Sequence, residues 1–280
     1  MSSPFLDLQG NTNPQERIVR NGSDVDVNAN AQSLRREQDV YRRLQNPKDD
    51  RSHGAVRCLE LSTDATQLAY MVNGDLRAYL AKTRPSPGQQ LRWFKQMALT
   101  LSYIHDRRVL VADIASPNFL FDSDLSVKIC DFTEASLLPL DSDMATVDDN
   151  GYTTQIDVGF LAAVMYEVIT GTKCEIDLFK DKAPTDGRAY WPERRHLPST
   201  QDIWLGWITD GSWTGEISSA DDLVHALDSI DPNVLPPDAA SLTFRCLAAA
   251  RDRPHATIAG VVGLLALTFV IGRKAILGLR

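Results

Sequence analysis

Three side chains in this sequence have the types and the spacing to do chemistry together: Asp113, Asn118 and Asp131. Asp113 lies in Val111-Ala112-Asp113-Ile114-Ala115-Ser116-Pro117-Asn118, and Asp131 opens Asp131-Phe132-Thr133 after the apolar run Val127-Lys128-Ile129-Cys130. A carboxylate can orient a hydroxyl and take its proton. An amide oxygen and a second carboxylate can hold magnesium against phosphates. Those are the groups that phosphoryl transfer asks for. Residues 119–121 and 127–129 predict two short strands around the turn Asp122-Ser123-Asp124, so the three groups would be held on one hairpin.

The elements around that hairpin follow from pattern. Residues 1–32 are polar, rich in Asn, Asp and Ser, and read as loop, with residues 17–20 the one hint of a strand. A helix is predicted from Ser33, which can cap it, with Leu34, Val40, Tyr41 and Leu44 near helical spacing. Strands are predicted at 56–61 and 67–72, then a turn at Asn73-Gly74 and a short helix over 75–80. Pro85-Ser86-Pro87-Gly88 breaks the chain before a long amphipathic helix with Leu91, Phe94, Met97, Leu101 and Ile104 on one stripe. Residues 157–170 are apolar almost all round and predict a helix buried on most sides. The order is a small strand-and-helix lobe, a turn, and a mostly helical lobe.

At 280 residues the chain can bury a sizeable core. Its net charge of −8 argues against nonspecific nucleic-acid binding. The four cysteines, Cys58, Cys130, Cys174 and Cys246, form no CxxC pair and read as reduced thiols of a cytoplasmic protein. The N-terminus has no apolar signal core. His105 reads as structural, and the five tryptophans (Trp93, Trp191, Trp204, Trp207, Trp213) as packing residues.

On these residues the chain resembles the protein kinase family over about residues 33–230. The resemblance implies an α+β, bilobal kinase-like fold with a reduced N-terminal lobe at 33–72 and a helical C-terminal lobe at 73–230. By the same resemblance Asp113 matches the catalytic-loop aspartate that accepts the hydroxyl proton, Asn118 the asparagine that binds one magnesium, and Asp131 the metal-bridging aspartate of the DFG motif. Glu37 falls at the helix-C glutamate, though its lysine partner is absent and a solvated helix glutamate is the competing reading. The segment 68–72 matches the hinge strand, where the backbone of Leu68, Tyr70 and Met71 would receive adenine over Leu120. Asp75 would hold a ribose hydroxyl or cap the helix that follows it. Asp157 would hold the catalytic-loop backbone. The implied cofactors are ATP and Mg2+, and the implied partner is a protein hydroxyl. Asn73-Gly74-Asp75-Leu76 and Ser199-Thr200-Gln201-Asp202-Ile203-Trp204 also resemble short, divergent kinase-like proteins of filamentous fungi.

The departures are as specific as the matches. No lysine precedes Lys48, and Gly10 and Gly22 stand alone, so the phosphates lose both a cation and a backbone cradle. Arg17 or Arg20 is the nearest substitute, but a guanidinium is no drop-in for an ammonium. Val111-Ala112 replaces His-Arg, Ala115 replaces the lysine of serine/threonine kinases, and Thr133 replaces the DFG glycine. Only 26 residues separate Asp131 from Asp157, with no Ala-Pro-Glu between them. Ile217 stands where an arginine would pair with that glutamate. Two functions stay open: a phosphotransferase, and a pseudokinase that binds or scaffolds without transfer.

Residues 231–280 read as an appendage with a proline-rich start. The uncharged run 256–272 is short for a membrane span, which needs about 20 residues. It predicts either a helix packed on the large lobe or a tail anchor with the domain in the cytoplasm.

Overall fold

A computed structural model describes residues 15–16, 24–45, 54–179, 187–232 and 236. The chain divides into two compact units, 1–235 and 236–280. The run 256–272, Arg17, Arg20 and Cys246 lie outside the described residues.

Among the described residues the upper lobe has one helix and three short strands. Strand β1 (Gln15–Glu16) pairs antiparallel with β3 (Thr66–Leu68), which also pairs with β2 (Cys58–Leu61), in the order β1-β3-β2. Helix α1 spans Asp24–Leu44, nine residues earlier than the predicted start, so Ser33 is interior rather than a cap. Apolar periodicity begins at Leu34 and hid the polar turns before it. Alanine, the best helix former, recurs there at Ala29 and Ala31 and favours the helix by propensity. Strand β3 ends at Leu68 rather than continuing to Val72, which is exposed. The chain then turns at Gly74, whose φ of 69° suits glycine.

Asp75 caps helix α2 (Leu76–Leu80), its Oδ1 accepting from the Ala78 N–H at 2.8 Å. Ser86 caps α3 (Pro87–Asp106) with Pro87 in the first turn, so the predicted chain break is the helix start itself. The predicted stripe of α3 is buried from Leu91 to Ile104. Strand β4 (Val109–Leu110) follows and pairs with β7 (Ser136–Leu137). Between them β5 (Phe119–Phe121) and β6 (Val127–Ile129) form the expected antiparallel hairpin, Phe119 opposite Ile129. Helix α4 (Thr154–Thr170) is capped by the Thr153 hydroxyl and ended by Gly171, and it is buried on most of its faces. Helices α5 (Gly206–Thr214) and α6 (Ala220–Asp228) complete the lower lobe.

One apolar cluster joins both lobes, from Tyr41 and Val56 to Phe132 and Leu227. The Val56 N–H donates to the Ile129 carbonyl at 2.8 Å, stitching the upper lobe to the hairpin strand that ends at Asp131. Trp93 and Trp213 are buried, but Trp207 is 58% exposed and so is no core residue.

Candidate active site

The loop from Val111 to Asn118 is held from below. Asp157, in the first turn of α4 and buried, accepts three hydrogen bonds. The Val111 and Ala112 N–H groups donate to its two oxygens at 2.8 Å each, and the His105 ring lies 2.9 Å from Oδ2. The Ala112 backbone sits at φ 63°, a conformation unfavourable for alanine that this carboxylate offsets. Asp157 therefore anchors loop backbone, as its position implied, and His105 is structural.

Above that anchor, Asn118 Nδ2 donates to the Asp113 carbonyl at 2.9 Å and to Asp113 Oδ2 at 3.2 Å. The Asn118 amide is thereby oriented with its nitrogen on Asp113 and its oxygen directed away from it. Burial pushes the Asp113 carboxyl above its ordinary value; the Asn118 bond pulls it down and the Asp131 charge pushes it up further. The electrostatic coupling places the two acids in one neighbourhood. A cavity of about 580 Å3 opens on the other side of Asp113, its wall including Arg77, Ser116, Phe160, Glu167 and His196. Its lining does not include Asp131, Asn118 or the 68–71 segment.

Asp131 itself adopts φ 65° at the end of β6. The left-handed residue of this motif is thus the aspartate, which tolerates it better than most residues. Thr133 is not among the positive-φ residues, so the missing glycine costs no strain at that position. The Thr133 hydroxyl donates to Asp131 Oδ1 at 2.6 Å, and the Thr133 N–H reaches the same oxygen at 3.3 Å. Phe132 is fully buried, edge-on to Tyr41 of α1 with ring centroids 5.2 Å apart. Arg36 of α1 donates to the Thr133 carbonyl at 3.0 Å. Sequence reasoning missed Arg36 and Tyr41 as supports of this segment, because their partners lie about a hundred residues away in the chain.

The nucleotide-side residues are placed as follows. Leu68, Met71 and Leu120 are buried, and Tyr70 is exposed. The N–H groups of Tyr70 and Met71 make no backbone hydrogen bond among the described residues. Asp75 is buried and serves as the α2 cap, and its backbone bridges to Leu120. Glu37 is 1% exposed, which corrects its reading as a solvated helix glutamate: it lies on the face of α1 that carries Val40 and Tyr41 into the core.

The protein kinase domain model matches residues 18–185, more than half of the chain. The chain belongs to the protein kinase family. It is 33% identical over 93 residues to serine/threonine-protein kinase Nek11 of Homo sapiens, covering 29% of this chain and 14% of that one. It is 30% identical over 115 residues to serine/threonine-protein kinase Nek6 of Oryza sativa subsp. japonica, covering 36% and 22%. Over 121 residues it is 31% identical to tyrosine-protein kinase JAK3 of Rattus norvegicus, covering 37% and 11%. The aligned stretch is less than a quarter of any of these proteins.

Kinase domains in general use ATP and Mg2+. The residues here fit the metal better than the phosphates. Asp131 and the outward amide oxygen of Asn118 are hard oxygen donors of the kind magnesium takes, with water and phosphate oxygens completing its shell. The phosphate side has neither a lysine before Lys48 nor a glycine cradle.

Proposed function

We propose that this kinase domain binds a magnesium nucleotide through its lower lobe and transfers phosphate slowly to a protein hydroxyl. The observation that carries the reading is the Asn118–Asp113 pair at 2.9 and 3.2 Å, on a loop whose amides Asp157 holds. A loop kept only as packing has no need of that pairing. In this reading Asp113 receives the hydroxyl proton from the side of the 580 Å3 cavity. Its raised proton affinity, caused by burial, suits it to that task. Asn118 and Asp131 hold the metal, which when bound neutralises charge on the phosphates. The N–H groups of Tyr70 and Met71, which make no backbone hydrogen bond among the described residues, offer the edge an adenine needs. With the phosphate-side lysine and glycine loop gone, each lost stabiliser lowers the rate by on the order of 100-fold.

The pseudokinase reading is favoured by one feature, the absence of any lysine earlier than Lys48 on the phosphate side. A thermal-shift titration with ATP, with and without Mg2+, separates the two. The transferase reading expects a shift that grows with metal and is lost in Asp131→Ala, and 32P transfer from labelled ATP that is lost in Asp113→Ala. A shift indifferent to metal, or none, leaves the scaffold. For localisation we infer a domain working in the cytoplasm. Fractionation of the full chain beside one ending before residue 256 reports whether 256–272 tethers it to a membrane.

A further inference from the structure

In a kinase the helix-C glutamate and a strand lysine tie the upper lobe to the site. No lysine precedes Lys48 in this chain, and α1 reaches the site through other residues. Arg36 donates to the carbonyl of Thr133 at 3.0 Å, and Tyr41 packs on Phe132. The hydroxyl of the same Thr133 donates to Asp131 Oδ1 at 2.6 Å. Thr133 is 7% exposed, so its hydroxyl is shielded from competing water. A hydroxyl donor to a carboxylate is among the stronger protein hydrogen bonds. It holds Asp131 by Oδ1 and so restrains the rotation of its carboxylate. A glycine at this place could supply only its N–H, here the longer contact at 3.3 Å.

We propose that Thr133 is the positioning residue for the metal-binding carboxylate, and that the chain Arg36–Thr133–Asp131 couples helix α1 to the site. The proposal rests on the reading of Asp131 as a metal ligand. It does not make Thr133 a catalytic residue, since the hydroxyl acts through Asp131. The replacement that removed glycine from the motif thereby added a donor at the one atom that needs orienting.

The test is calorimetric titration of the full chain with ATP, in Mg2+ and in its absence, for the native protein, Thr133→Ser, Thr133→Val and Asp131→Asn. The readout is the metal enhancement, the ratio of ATP affinity with metal to that without. Thr133→Val keeps the shape and loses the donor; its metal enhancement is expected to fall about tenfold, the worth of one hydrogen bond to a charged group. Thr133→Ser is expected to retain the native ratio, and Asp131→Asn to abolish it. Thr133→Val with the native ratio overturns the proposal. A native protein with no metal enhancement overturns the metal-site reading and the metal role of Thr133 with it. A ligand-free denaturation cycle over Thr133→Val, Asp131→Asn and the double variant separates the two failures. Coupling of about tenfold in the unfolding constant supports the hydroxyl–carboxylate bond. Additive effects refute it.

Discussion

The two lobes have fared differently. In the lower one, the Asp113 loop is cross-braced by a buried carboxylate, and Asp113, Asn118 and Asp131 are all present. In the upper one, the described residues form three strands of two to four residues and one helix, with no lysine before Lys48 and no glycine loop in the sequence. The lower side is held by polar bonds that converge on one buried carboxylate, at least 45 residues along the chain from the loop it braces, and each fails visibly if one partner changes. The upper side shares an apolar cluster with the hairpin and α3, which tolerates substitution as long as volume is kept, and adds a few hydrogen bonds to carbonyls such as those of Ile129 and Thr133. A fold can therefore lose the phosphate grip while keeping the orientation of the acid.

The largest break in that contrast is at Asp157. Asp157→Ala leaves two backbone N–H groups and the His105 ring without their acceptor in a buried site. The expected loss is about 3–5 kcal/mol in urea or guanidinium denaturation. If the loss is under 1 kcal/mol, the lower side is no more polar-braced than the upper.

The junction between the lobes comes next. Gly54 lies against α3 so closely that a Cβ there would meet Thr100 Oγ1 at 2.1 Å and its Cβ at 2.7 Å. Thr100 cannot yield easily, since its hydroxyl donates to the Gln96 carbonyl at 2.7 Å and the residue is buried. Gly54→Ala is expected to cost about 2 kcal/mol. Because Ala55 and Val56 follow directly and pair with Ile129, hydrogen exchange should rise in β6 as well as around residue 54. A neutral substitution would show the upper side to be more loosely seated than the contacts indicate.

A gain is expected from the upper side. The Tyr41 hydroxyl is buried with no hydrogen-bond partner among the described residues, and burial together with neighbouring Cys130 and Glu37 holds its proton on far above the usual range. Tyr41→Phe keeps the edge-on contact with Phe132 and removes the unsatisfied group. It should stabilise the fold by about 1 kcal/mol, read as a higher denaturation midpoint at unchanged slope. Destabilisation would mean that the hydroxyl has a role that packing does not supply.

How much of this was legible in the sequence follows the same division. Asp113, Asn118, Asp131 and Asp157 could be read because a hairpin and a helix start fix their spacing along the chain. Their mutual geometry is local or anchored at one buried residue. The early start of α1 was hidden, since polar helical turns leave no apolar stripe. Glu37 was misjudged because its burial depends on how α1 packs against the hairpin, and no local pattern encodes that. Trp207 was misjudged for the converse reason: residue type suggests burial, but the face of α5 it occupies is outward. Thr133 read as a lost glycine, while its bond to Asp131 required the positive φ of Asp131 itself.

The smallest effect sharpens the contrast most, because it concerns an acid that the lower side holds at a cost. Burial, with the Asp131 charge adding to it and the Asn118 bond opposing it, raises the Asp113 proton affinity in the folded state. A carboxyl whose folded pKa lies above its unfolded one favours folding below the unfolded value. That contribution is lost as pH rises through the folded pKa. At neutral pH the native protein therefore carries an ionised Asp113 that it would rather protonate. Asp113→Asn removes the charge and keeps an oxygen for Asn118 Nδ2 to donate to. It should stabilise the fold at pH 7 by roughly 0.5 kcal/mol, a figure reduced for the solvent that still reaches the group. The advantage should shrink as pH falls toward the ordinary carboxylate value of 3.8, because the folded protein protonates Asp113 on the way down and loses the buried charge. Denaturation midpoints of the two proteins, measured from pH 7 down to pH 4, read the sign directly. An advantage that grows on acidification would mean the loop holds Asp113 as a satisfied carboxylate, and the acid would then be part of the bracing rather than the group being braced.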